Sequence, residues 1–178
     1  IYDSLVSPYR MNRLLQGDVG SGKTAVALTG IFMAVKSGFQ AVYLSPTEVL
    51  AAQNFALLQR IFPEYRVGYL AGSGTAKEKR ELKSALAAGE IDILCGTHAV
   101  LQDDVQFASL AFCVCDEQHR FGVAQRNTLT EKGESIDLLV MSATPIPRTL
   151  SLIFYGDLDI TTIREKPRER QEIATSLI

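Results

Sequence analysis

Apolar positions along the chain fall into short unbroken runs separated by segments of helical spacing, and this alternation predicts the elements. Residues 11–16, 40–45, 66–70, 91–95, 110–115, 137–141 and 158–163 read as strands, too apolar to keep one face in water. Residues 25–36 carry apolar side chains on nearly every side, as expected of a helix packed on a sheet, and Ser37-Gly38 ends it. Pro46 stops the second strand and Thr47 caps a helix running to about Arg60. Thr75-Ala76-Lys77-Glu78 has the capping-box form and opens a helix through about Ala88. The first ten residues, with Pro8 and no clear period, read as a connecting segment, 71–74 as a flexible link, and 164–178 as a charged linker.

Strands and helices alternate at the spacing of βαβ units, so the expected fold is α/β. Its sheet is mostly parallel, of about seven strands, with helices on both faces. Polar and glycine-rich clusters sit at 17–24, 45–47, 96–98, 116–119 and 142–144, each beginning where a predicted strand ends. In an open α/β sheet the carboxyl ends of the strands form one rim, where ligands bind, so all of these clusters are expected on a shared edge.

The first cluster, Gly17-Asp18-Val19-Gly20-Ser21-Gly22-Lys23-Thr24, fits G-x-x-x-x-G-K-[ST] at every fixed position. Its glycines let backbone N–H groups curl around a polyphosphate with no Cβ in the way. Lys23 supplies a point charge for the outer phosphates, Thr24 a hydroxyl for Mg²⁺, and the helix opening at Lys23 aims its positive end at the same anion. Asp116-Glu117, after the apolar run 112–115, adds a carboxylate that can hold Mg²⁺ through its water shell and a second that can take a proton from an attacking water.

At 178 residues the chain is one ordinary domain, and 47% hydrophobic content excludes disorder. No apolar run reaches the ~18 residues that span a bilayer, so a cytoplasmic protein is expected. A first residue of Ile rather than Met leads us to expect a piece of a longer polypeptide. The net charge of −2 gives no bulk pull toward nucleic acid, so any such binding has to come from local sites. Lys77, Lys79, Arg80 and Lys83 read as a solvated helix face rather than a phosphate site. Cys95, Cys113 and Cys115 lie on apolar runs without histidines at metal spacing, and read as buried thiols.

Taken together, these residues resemble the first RecA-like motor domain of superfamily-two helicases and translocases, a P-loop NTPase fold, over nearly the whole chain. Gly17 to Thr24 matches motif I, 46–50 motif Ia, 96–98 motif Ib, 116–119 motif II and 142–144 motif III. The longer strings 11–24, 116–123 and 143–150 look like the RecG branch, with the Mfd branch nearest to it. Gln118 and 155–159 favour the RecG side.

The resemblance implies ATP-driven movement on duplex or branched DNA, remodelling stalled forks and Holliday junctions in bacterial recombination and repair. It implies that Gly17, Asp18, Val19, Gly20, Ser21, Gly22, Lys23 and Thr24 bind ATP, that Thr24 and Asp116 serve Mg²⁺, and that Lys23, Asp116 and Glu117 are catalytic. Pro46, Thr47, Gly96, Thr97 and His98 would meet the DNA backbone. Gln118, His119, Ser142, Ala143 and Thr144 would couple nucleotide state to DNA grip. The N-terminal DNA-binding domain and the second motor domain with its arginine finger would be absent partners in the same polypeptide, so slow hydrolysis by the chain alone is expected. A P-loop nucleotide switch or small-molecule kinase and a non-catalytic interaction module are the other readings these residues leave open.

Overall fold

The computed structural model describes residues 1–7, 9–116, 128, 132–133, 135–144 and 158–164, and of Tyr2 the backbone alone. The strands are β1 (Asn12–Gly17), β2 (Gln40–Leu44), β3 (Val67–Leu70), β4 (Ile93–Gly96), β5 (Leu110–Cys115), β6 (Asp137–Ser142) and β7 (Asp159–Ile163). They form a 7-stranded sheet in the order β3-β4-β2-β5-β6-β1-β7. Every pairing in it is parallel. The helices are α1 (Tyr2–Leu5), α2 (Lys23–Lys36), α3 (Glu48–Ile61) and α4 (Ala76–Ala87), with a 3₁₀ turn at His98–Leu101. The expected strands and three long helices are therefore present, whereas the first ten residues are not wholly a connector, because they hold α1.

Apolar side chains alternate between two cores, which is why no strand reads as amphipathic. On one face Leu15, Ala41, Tyr43, Phe112, Val114, Leu139 and Met141 pack with Ala27, Ile31 and Val35 of α2 and Leu58 of α3. On the other, Leu14, Val42, Leu44, Cys113, Cys115, Leu138 and Val140 pack with Leu86 of α4 and with Val100, Val105 and Ile136. Both faces are thus covered, as a parallel sheet requires. Contact with α2 is close enough that a Cβ on Gly30 would sit 2.5 Å from the Phe112 ring. Helix α2 is less enclosed than its composition implies: Phe32 is 46% exposed, beside Leu28, Ile61 and Tyr65 in an open groove.

The helix ends follow their local signals. Thr47 accepts from the Leu50 N–H at 3.3 Å to cap α3. Thr75 and Glu78 close a reciprocal capping box on α4. Gly38 takes φ 84° beyond the end of α2. All three cysteines are buried and unbridged, with the Cys113 and Cys115 sulfurs 3.9 Å apart, and burial pushes the Cys95 thiol up to about 12. Among the described residues no helix is long and apolar enough to cross a membrane.

At Gly96 the chain passes so near β3 that an added Cβ would overlap the Leu70 carbonyl, which backbone cannot yield cheaply. Gly96→Ala is expected to lower stability by about 2 kcal/mol, read as a reduced urea midpoint. Thr75→Ala, which removes only a cap, should cost about 1 kcal/mol in the same assay.

Candidate functional site

Parallel register brings the expected clusters to one edge. Leu44 pairs with Gly96 on one side and Cys115 on the other, Cys115 pairs with Val140, and Gln16 pairs with Ser142. The strand ends bearing Gly96-Thr97, Ser45, Asp116, Ser142 and Gly17 thus stand in that order along the rim. The loops after β2 and β4 form one half of it and the loop after β1 lies toward the other. The ends of β5 and β6 stand between them. Glu117, Gln118 and His119 lie outside the described residues, so of motif II the structure places Asp116 alone.

The loop from Gly17 to Gly22 turns tightly into α2, with Gly20 at φ 80° and Gly22 at φ 93°. These left-handed conformations are strained for any residue with a Cβ, and a Cβ on Gly17 would come within 2.5 Å of the Ser21 hydroxyl. The Lys23 ammonium folds over the loop and donates to the carbonyls of Gly17 at 2.6 Å and Asp18 at 2.9 Å. Among the described residues no side chain caps the first turn of α2, whose N–H groups open toward its N-terminal end. The Ser21 hydroxyl is buried and has no hydrogen-bond partner among the described residues. A concave loop with an ammonium, uncapped amides and an orphaned hydroxyl fits a polyphosphate. Thr24 is exposed beside it.

Asp116 continues the alternation of Phe112 and Val114, which places it on the α2 face of the sheet. Its N–H donates to the Leu44 carbonyl at 2.9 Å, and its Oδ2 accepts from the Tyr43 hydroxyl at 3.1 Å. Burial, then the adjacent Asp116 carboxylate, pushes the Tyr43 phenol well above its ordinary value. A single carboxylate with a threonine hydroxyl suits Mg²⁺, which keeps several waters and is bound through one or two carboxylates plus substrate phosphates. On β6, the Ser142 hydroxyl lies 3.1 Å from the Thr144 carbonyl and 3.2 Å from its hydroxyl, and accepts from the Thr144 N–H at 3.3 Å. Ala143 sits inside this turn.

At the far half of the rim, Thr47 is exposed and Pro46 half-buried. Gly96 and Thr97 face inward: the Gly96 carbonyl accepts from Ser45 N–H, and Thr97 N–H donates to the Leu70 carbonyl. His98 is exposed at the start of the 3₁₀ turn. Two contacts here have no signal in the sequence. Asn54 donates to the Ser45 hydroxyl at 3.0 Å, and Glu48 reaches across to accept from the Ser73 N–H at 3.1 Å. Bonds from Ser73, aided by Lys79, hold the Glu48 carboxyl below its ordinary value. The segment 71–74, read from sequence as a flexible link, is tied to α3 by this bond and to α4 by Lys79, which donates to the Gly72 carbonyl. On the basic face of α4, Lys83 pairs with Asp104 at 2.6 Å, whereas Lys77, 3.9 Å from Glu81, and Arg80 are exposed, as a solvated face requires.

A family model described as DEAD/DEAH box helicase matches residues 4–153. The ATP-dependent DNA helicase RecG of Streptococcus pneumoniae serotype 4 is 51% identical over 178 residues, covering 100% of this chain and 26% of that protein. The ATP-dependent DNA helicase RecG of Bacillus subtilis is 52% identical over 171 residues, covering 95% of this chain and 25% of that protein. The chain thus spans about a quarter of the length of the curated relatives it matches. Among solved structures, RecG bound to a three-way DNA junction superposes with a TM-score of 0.79 at 44% identity, covering 96% of this chain and 23% of that one. The helicase domain of Pyrococcus furiosus Hef, 18% identical with a TM-score of 0.70 over 88% of this chain and 36% of that one, shares the fold.

The Glu48 clamp has a testable sign. A carboxyl held below its ordinary value of 4.5 favours the clamped state above that pH, and the preference fades as pH falls through the lowered value. Glu48→Ala is expected to accelerate hydrogen exchange at the Ser73 amide at neutral pH, followed by NMR, with little change in the unfolding midpoint.

Proposed function

Since the chain belongs to the DEAD/DEAH box helicase family, we propose that it is the nucleotide-binding motor half of an ATP-dependent DNA helicase of the RecG kind, acting on branched DNA such as stalled forks and Holliday junctions. The observation that carries this reading is the shared rim, on which the Gly17 to Lys23 loop and the loop bearing exposed Thr47 flank the ends of β5 and β6. The names of the relatives and the junction-bound neighbour support it. A kinase or switch has no use for the Ser45 to Thr47 and Gly96 to His98 loops on that edge.

In this reading Lys23 leaves the Gly17 and Asp18 carbonyls for the outer phosphates of ATP, and the amides of Gly20, Ser21 and Gly22 meet the inner ones alongside Asp18 and Val19. Thr24 and Asp116 would hold Mg²⁺, which neutralises charge across the phosphates. Glu117 accepts the proton of the attacking water. Thr47 keeps its hydroxyl proton for a DNA phosphate while its oxygen caps α3, and Pro46, Gly96, Thr97 and His98, at or just beyond the ends of the paired strands β2 and β4, would meet the same DNA backbone. Ser142, Ala143 and Thr144, with Gln118 and His119, relay between the halves, because the end of β6 adjoins both the phosphate-loop strand β1 and the Asp116 strand β5.

The chain is one domain over 1–178, with 164–178 leading to a second motor domain. That domain and an N-terminal DNA-binding domain complete the protein in the bacterial cytoplasm. Hydrolysis by the chain alone is slow, because an arginine finger from a partner domain is worth ~10³ to 10⁵ in rate.

Calorimetric titration with Mg²⁺-ADP tests the nucleotide site. Lys23→Ala is expected to weaken binding about 30-fold, the loss of one charge-assisted bond of about 2 kcal/mol. Asp116→Asn should leave the complete protein able to bind nucleotide while its DNA-stimulated turnover collapses. Equal binding by Lys23→Ala would sink the assignment of the loop. DNA affinity that does not fall with rising salt would sink the assignment of the nucleic-acid half.

A further inference from the structure

We infer that Tyr43 is a positioning residue for the magnesium site, its hydroxyl fixing the orientation of the Asp116 carboxylate. The inference rests on the reading of Asp116 given above. Tyr43 lies on β2 with 1% of its surface exposed, among Ile31, Leu58, Ile93, Phe112 and Val114. Its register partner on β5 is Val114, and Asp116 follows two positions on, so both side chains rise from the same face. A tyrosine ring is long enough to span that step along the strand, and its hydroxyl donates to Asp116 Oδ2 at 3.1 Å.

Packing alone does not call for that hydroxyl. Phenylalanine fills the same volume, and a buried phenol without an acceptor is a liability. The ring has few rotamers and is enclosed on the α2 side, so the position of its oxygen is over-determined by the core. The strand bond from Asp116 N–H to the Leu44 carbonyl fixes the backbone of the carboxylate. Tyr43 fixes its far end by engaging Oδ2, which sets the orientation in which the carboxylate would meet the cation and its waters. Groups that orient a metal-binding side chain in this way typically alter metal affinity 10- to 100-fold when removed.

The test is Tyr43→Phe in the complete protein, with ADP affinity measured by calorimetry across a Mg²⁺ series and in chelator. The expected result is a Mg²⁺ midpoint raised about 10-fold, with unchanged affinity for metal-free ADP and an unchanged thermal midpoint. Equal weakening with and without Mg²⁺, or a lowered thermal midpoint that accounts for the loss, would make Tyr43 merely structural and overturn the inference. Asp116→Asn measured alongside separates the two levels. If it leaves the Mg²⁺ midpoint where it was, the reading of Asp116 fails. If it shifts the midpoint and Tyr43→Phe does not, only the role of Tyr43 fails.

Discussion

Parallel hydrogen-bonding between β1 and its neighbours β6 and β7, and among β2, β3, β4, β5 and β6, is the constraint on which the rest of this structure depends. A parallel strand cannot return by a tight turn, so the chain must cross over between strands, and the crossovers α2, α3 and α4 cover the two faces. Because every strand runs the same way, every crossover departs from the same edge. Chemistry scattered over the sequence from Gly17 to Thr144 is gathered there without any long-range side-chain bond having to recruit it. The glycines mark where this gathering is tightest: Gly96 under the Leu70 carbonyl and Gly17 against Ser21.

Charge on that edge is managed locally. Glu48 and Asp116 are carboxylates on a rim proposed to meet phosphates, which taken alone would repel them. Glu48 is engaged by the Ser73 N–H and Asp116 by the Tyr43 hydroxyl. The lysines of α4, read from sequence as a solvated face, make local contacts: Lys83 pairs with Asp104, Lys79 donates to the Gly72 carbonyl, and Lys77 lies near Glu81. A chain of net charge −2 can therefore present attraction at particular loops and neutrality elsewhere.

Much of the fold was legible because its signals are local. Apolar runs locate the strands, and Thr47 and Thr75 announce α3 and α4 by capping chemistry carried within four residues. Helix α1 and the 3₁₀ turn at His98–Leu101 are 4 residues each, too short to express a period. The lateral order of strands is not legible, since nothing in the spacing says that β6 separates β5 from β1. Contacts that depend on that order or on loop placement, such as Tyr43 with Asp116 and Glu48 with Ser73, were invisible for the same reason. The positions of Gly17 to Thr24, Asp116 and Ser142 on one rim followed from strand ends alone. Glu117, Gln118 and His119 lie outside the described residues.

The sealed thiols have a practical consequence. Cys95, Cys113 and Cys115 are the three cysteines of this chain, and each is enclosed in the sheet. Folded, the chain therefore offers maleimide reagents a silent background without any engineering of its core. A single cysteine introduced at an exposed position such as Val49, 68% exposed and two residues beyond Thr47, would carry a fluorophore or spin label to the rim as the only reactive handle on this domain.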